Sequence, residues 1–249
     1  MSIETSPASQ GVSQAGREQP VAPAIDERLA ARLRGFGPLG ILAILLILLT
    51  GNIVVTKKLI VLPIGAVLVL LWTWRSHTPW REIGYSRPKS WVTTIAGGIA
   101  FGIALKFLMK VIVMPLLGAD PINHAYHFLA GNRAMLPPAI WAMLVAGFAE
   151  ETVVRGYAFE RLGKLFGSSL AAKIAIVVIT SAVFGLDHYR VQGLAGAEQA
   201  ALVGLIYGTI FATTGSIWLI MSAHAAFDLT ALVMIYWNLE SRIAHLLFH

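Results

Sequence analysis

The sequence predicts an all-α protein: a polytopic transmembrane helical bundle of about seven to eight helices. Three observations carry that expectation. Hydrophobic residues make up 57% of the 249-residue chain and charged residues 13%, well below the ~25% charged share of ordinary globular domains. Mean hydropathy is +0.71. Apolar runs follow one another almost without interruption from Leu39 onward, with the basic residues placed between them rather than in one block.

The elements follow in chain order. Residues 1–25 are rich in Ser, Gln, Ala, Pro and Gly and bury too little apolar surface to fold, so residues 1–36 are expected to form a disordered cytoplasmic tail. Residues 37–249 then form one membrane-embedded domain, with a motif-bearing core at 138–239. A helix crossing the ~30 Å hydrocarbon core needs about 20 mostly apolar residues. Seven segments qualify: 39–55 (closed by Lys57 and Lys58), 59–74, 91–117, 138–162, 169–188, 197–213 and 216–239. The charged stretch "WREIGYSRPKS" lies in the linker 75–90. No short polar segment precedes the first apolar run, which argues against a cleaved signal peptide.

The charge pattern sets topology and excludes one class of partner. A net charge of +6 spread between apolar runs reads as membrane orientation facing anionic lipid, not as a nucleic-acid surface. Arg28, Arg32 and Arg34, then Arg75, Arg81, Arg87 and Lys89, then Arg161 and Lys164 fall on one side of a seven-helix arrangement. The positive-inside rule makes that side, and the N-terminus, cytoplasmic; Lys57 and Lys58 count against it. The chain has no cysteine, which excludes disulfides, thiolate metal ligands and a cysteine nucleophile.

The functional signal is the set of polar residues inside apolar helices. A carboxylate near the bilayer centre costs roughly 2.5–3.5 kcal/mol on the insertion scale, and such groups face a bundle interior. In "AGFAEETVVRGYAFERL" Glu151 and Arg155 stand at i and i+4, share a helix face and form a structural ion pair. Glu150 lies about 100° around the helix, outside that pairing geometry, and suits general-base chemistry. Phe184 and His188 share a face in 169–188, with Asp187 and Arg190 beside them; alone, His188 reads as an interfacial histidine. His224 and Asp228 share a face in 216–239, as a structural pair, a base with its orienting group, or metal ligands.

Depth arithmetic brings these groups loosely together. Measured from the short turn at 163–168, Glu150 lies about 20 Å up its helix and His188 about 28 Å, with His224 about 12 Å into its own. The chain holds no H-E-x-x-H, G-x-S-x-G, G-x-G-D or P-loop. The remaining carboxylates and histidines can activate water directly or hold a divalent metal that does so.

"EETVVRG", "FGLDH" and "HAAFD" resemble, in order and in helical context, the three motifs of the CAAX protease and bacteriocin-processing intramembrane protease family, the family of the type II CAAX prenyl endopeptidase: E-E-x-x-x-R, F-x-x-x-H and H-x-x-x-N/D. "REIGYSRP" also looks like the charged segment many bacterial members carry. The resemblance covers roughly 138–239 and implies an intramembrane endopeptidase acting on a membrane-associated peptide or protein. It assigns Glu150 and His188 to activate the attacking water, and His224 and Asp228 to oxyanion support. Glu151 and Arg155 hold the site together, with Phe184 supporting. No cofactor is required by this assignment; a divalent metal such as zinc, if used, would lie on Glu150, His188, His224 and Asp228. Asp228 departs from the asparagine of the eukaryotic pattern. An ionised aspartate repels an oxyanion, so it must be protonated, orient His224 or bind metal. Size and resemblance point to a bacterial plasma membrane.

Two other readings use the same residues. A catalytically silent immunity or scaffolding protein of the same fold is signalled by loss of Glu150, His188 or His224, and all three are present. A proton-coupled transporter predicts inverted repeats, and none is evident. Lys106 and Lys110, at i and i+4, read as snorkelling to an interface or pairing within the bundle. His124 and His127 read as surface residues, and His245 and His249 have no evident partners. Trp72, Trp74, Trp80 and Trp91 read as interfacial anchors.

Overall fold

A computed structural model describes residues 25–50, 53–55 and 60–247. The chain is a helical bundle. Its helices are α1 (Ile25–Arg34), α2 (Pro38–Thr50), α3 (Ile64–Arg75), α4 (Trp91–Leu108), α5 (Met114–Leu116), α6 (Leu136–Glu151), α7 (Phe159–Phe166), α8 (Leu170–Thr214), α9 (Trp218–Tyr236) and α10 (Glu240–Ala244). A short strand pair, β1 (Ile53–Val55) and β2 (Ile60–Leu62), pairs Ile53 with Leu62 in antiparallel register.

The N-terminal third differs from expectation. Residues 1–24 of the expected tail lie outside the described residues, as do Lys57, Lys58 and His249. Residues 25–34, assigned to that tail, form α1 instead. Its acidic first turn is anchored: Asp26 lies 3.1 Å from Arg75 and from His77, and Glu27 lies 3.0 Å from His77. Its last turn accepts a hydrogen bond at Leu33 from the Trp72 indole at 3.1 Å. The expected helices 39–55 and 59–74 are shorter than apolarity alone implies. The β-branched residues Ile53, Val54, Val55, Ile60 and Val61 suit an extended chain, and they form the strand pair between α2 and α3.

The remaining segments match expectation more closely. Ser90 caps α4, its hydroxyl accepting from Thr93 N–H at 3.3 Å, and a π-helical turn at Met109–Val113 carries the helix on to Leu116. A second π-helical stretch, Thr152–Ala158, joins α6 to α7. α8 is broken at Gly193, with φ 67° and ψ −161°, a region essentially reserved for glycine. Its arms, 170–192 and 194–214, are the two separate helices expected, and they pack antiparallel. A Cβ on Gly185 would lie 2.8 Å from Ala197 O, and one on Gly204 3.1 Å from Ser181 Cα. Small residues let membrane helices approach this closely.

Among the described residues, three helical stretches are long and apolar enough to cross a membrane: Trp91–Leu116, Leu170–Thr214 and Trp218–Tyr236. A fourth arises if α1 and α2, bent by 60°, count as one span. This is fewer than the seven segments proposed from hydropathy. α2 and α3 are short, α6 with its continuation carries Glu150, Glu151 and Arg155, and α8 holds two of the expected helices. Gly98 and Gly102 bring α4 against α9; a Cβ on Gly102 would lie 2.0 Å from Ala223 O.

The bundle has two distinct ends. At one, α1, the start of α4, α7 and the start of α9 converge. There Arg161 donates to Arg34 O at 2.8 Å, Lys164 pairs with Glu82 at 3.1 Å, and Ile217 N–H donates to Gly84 O at 3.1 Å. At the other end, residues 118–135 fold against α9 and α10. Gly131 N–H donates to Tyr236 O at 2.9 Å, and Asn123 N–H to Glu240 Oε1 at 3.0 Å.

Candidate active site

The site is assembled from three elements, each supplying part of one polar chain. α6 ends at Glu150 and Glu151, and the π-helical stretch that follows widens the turn carrying Arg155. Such turns recur at functional sites. Arg155 Nη1 donates to Glu151 Oε1 at 2.9 Å, and both side chains are fully buried. Arg155 Nη2 donates to the carbonyl of Gly204 at 3.3 Å, and its guanidinium lies 4.8 Å from the Phe184 ring centroid. One arginine thus touches both arms of α8.

Glu151 reaches a second partner, which the i, i+4 reading did not anticipate. Its Oε1 lies 2.8 Å from His224 Nδ1 on α9. An oxygen that already accepts from arginine takes the imidazole Nδ1–H as well. His224 Nε2 is thereby turned towards two further carboxylates, 3.7 Å from Asp228 Oδ2 and 3.9 Å from Glu150 Oε2. The rings of Phe184 and Tyr207 flank His224, at centroid distances of 6.0 and 5.8 Å. The expected Glu151–Arg155 pair is present, and it extends into a relay ending at a histidine.

His188 sits on the first arm of α8. Its Nδ1 lies 2.8 Å from the carbonyl of Phe184, one turn back. A carbonyl only accepts, so Nδ1 carries the proton and Nε2 is the basic nitrogen. The Phe184 ring packs against the imidazole at 4.6 Å.

Glu150, His188, His224 and Asp228 all line one cavity of about 310 Å³, with Phe184, Lys106 and Tyr126 also in its wall. Glu151 and Arg155 stand behind that wall. A neighbouring cavity of about 490 Å³ shares Lys106, Gln192 and Gln199 with the first and extends to Asp120 and His124 at the end of the bundle. The side chains of Asp120 and His124 are exposed and pair at 3.0 Å.

Tyr126, in the 118–135 segment, carried no motif and was missed. Burial pushes its phenol up to about 12, with the charges of Asp228 and Glu150 adding to the shift, so it remains an O–H donor over the cavity at ordinary pH. Lys106 was read as interfacial or internally paired, and it is a buried wall residue. His127 approaches Glu240 at 3.7 Å, and the His245 ring accepts or donates locally with Ser241.

The depth arithmetic disagreed because the helices start at different heights. Gly156 packs against Ile217 and Ile83, so the level of Ile217 falls within the π-helical stretch, and α7 projects beyond it. Counted from that level, Glu150 is six residues deep and His224 seven. Among the described residues, no group of three or more His, Asp or Glu side chains is arranged to hold a metal ion.

Residues 132–230 match the family model described as type II CAAX prenyl endopeptidase Rce1-like. No curated protein and no solved structure matches the chain.

Proposed function

With residues 132–230 belonging to the type II CAAX prenyl endopeptidase Rce1-like family, we propose that this membrane protein is an intramembrane endopeptidase that hydrolyses a peptide bond of a membrane-associated peptide or protein. The observation that carries the proposal is the convergence of Glu150, His188, His224 and Asp228 on one cavity.

In this reading a water held between Glu150 and His188 loses a proton to that pair as it attacks the scissile carbonyl carbon. The carbonyl π electrons move onto oxygen, and the oxyanion sits against donors from His224 Nε2 and the Tyr126 hydroxyl. Collapse of the tetrahedral species expels the amine, which takes up the proton held by Glu150 and His188. Glu151 accepts from Nδ1 while Asp228 and Glu150 face Nε2, an arrangement that holds His224 as the imidazolium whose Nε2–H donates to the oxyanion. Asp228 stands 3.7 Å from Nε2, where its carboxylate orients that nitrogen electrostatically. A divalent metal, if used, would be held by Glu150, His188, His224 and Asp228 and would supply Lewis-acid activation of the water; the reaction above is written on side chains alone. The positive-inside pattern puts the N-terminus in the cytoplasm, and size and family point to a bacterial plasma membrane.

The test is cleavage of a quenched fluorescent CAAX-type peptide by detergent-purified protein, wild type against Glu150→Ala and His188→Ala, with and without a strong chelator. Loss of cleavage in both variants at normal folded yield, with the wild type indifferent to chelator, is the expected result. Full activity in either variant removes that residue from the mechanism. Chelator-sensitive cleavage restored by zinc replaces the side-chain mechanism with a metal-dependent one.

A further inference from the structure

Lys106 occupies an unusual place. Gly98, Gly102 and Lys106 recur every four residues on the face of α4 that meets α9. That face is closed so tightly at Gly102 that Lys106 is carried inward, where only 7% of it remains exposed. It therefore does not snorkel to an interface. Its partners are neutral: Nζ donates to Gln199 Oε1 at 3.1 Å and lies 4.7 Å from the Phe227 ring centroid. Among the described residues no carboxylate lies within ion-pair distance of it. The contrast with Lys110, one turn on, is direct. Lys110 donates to Pro121 O and lies 3.7 Å from Glu240.

An ammonium group has three N–H donors, and one is used by Gln199. A buried cation whose carboxylates, Asp228 and Glu240, act on it only from beyond ion-pair distance is costly unless something closer supplies a counter-ion. Lys106 also stands where the two cavities meet: it lines both, whereas Glu150, His188, His224 and Asp228 line only the inner one. The amide nitrogen of Gln199, on the other side of the oxygen that Lys106 holds, is a second donor at the same place. A cation and an amide side by side make a site for a small planar anion.

We propose that Lys106 and Gln199 form a carboxylate-binding subsite, and that the peptide cut at this site carries a carboxylate that docks there. This rests on the endopeptidase reading and adds to it a residue that selects substrates. The carboxylate has two sources, the α-carboxylate of a chain end or an acidic side chain.

The experiment measures binding and cleavage separately. A fluorescent CAAX-type peptide is prepared with a free C-terminal carboxylate, as its C-terminal amide, and as the amide with a glutamate as its last residue. Binding to detergent-purified wild type, Lys106→Met and Gln199→Leu is followed by fluorescence anisotropy, and cleavage by release of quenching. The expected result is that the wild type binds a carboxylate-bearing peptide about ten- to a hundredfold more tightly than the plain amide, the size of a charge-assisted contact. That ratio collapses towards one in Lys106→Met and shrinks in Gln199→Leu. Recovery of binding by the glutamate amide assigns the source to a side chain; failure to recover assigns it to the chain end. If wild type binds all three peptides within about twofold, the proposal is wrong, and that comparison needs no variant to fold. Equal ratios in wild type and folded Lys106→Met also overturn it. Carboxylate-dependent binding without cleavage would uphold the subsite while removing the endopeptidase reading.

Discussion

Glu151 serves two partners on different elements, and this separates substitutions that would otherwise be grouped. Removing Arg155 leaves a buried carboxylate without its cation, a loss of about 3–5 kcal/mol for buried pairs. Arg155→Ala should therefore reduce folded yield, measured by size-exclusion recovery in detergent. Glu151→Gln keeps the side chain's shape and an oxygen for Arg155, but weakens its hold on His224 Nδ1. We expect it to fold at a near-normal yield and to lose most peptide cleavage; unimpaired cleavage would restrict Glu151 to a structural role. The i, i+4 pairing of Glu151 with Arg155 was legible in the sequence because both sit on one helix. Its bond to His224 was not, because it crosses from α6 to α9 and helical spacing carries no information about neighbours. Of the two readings of Lys106, pairing within the bundle holds, through Gln199, and snorkelling does not; for the same reason the choice was not legible for this lysine. Its place in the cavity wall depends on how closely Gly102 lets α4 approach α9.

At the scale of elements, hydropathy located the long helices and located the ends of the short ones poorly. Segment 91–117 matches the stretch Trp91–Leu116 almost residue for residue, since a capping serine opens it and apolarity is continuous. Between α2 and α3 the apolar runs reach up to either side of Lys57 and Lys58, but β-branched residues take the chain into strands there, which a hydropathy window does not register. The break in α8 was legible as a gap between two apolar runs, and Gly193 supplies its geometry. An alanine at φ 67° and ψ −161° is strained by about 1–3 kcal/mol. Gly193→Ala should lower the thermal unfolding midpoint in detergent. It should also impair cleavage, because Gln192 and Gly196 on either side of the break line the cavity. An unchanged midpoint would mean that the arms tolerate a different turn.

Across the whole molecule, arginine is denser at one end and the cavity lies towards the other, where Arg133 and Arg242 also lie. Arg34, Arg75, Arg81, Arg87 and Arg161 belong to the end where α1, α7 and the start of α9 meet, whereas the outer cavity reaches Asp120 and His124 in the opposite segment. If the arginine-rich end is cytoplasmic, substrates enter from the far face. The lack of native cysteine makes this directly measurable. In intact cells a membrane-impermeant thiol reagent should label His124→Cys and leave Arg87→Cys unlabelled; the reverse pattern would invert the orientation.

The relay from Arg155 through Glu151 to His224 has a consequence for biogenesis. It draws on α6, both arms of α8, and α9, which is threaded after the others. While synthesis and insertion are under way, His224 has no carboxylate to orient its ring and the inner cavity has no α9 wall. In the proposed mechanism, hydrolytic competence therefore begins only when this helix docks. A half-inserted chain stays inert towards its neighbours in the membrane.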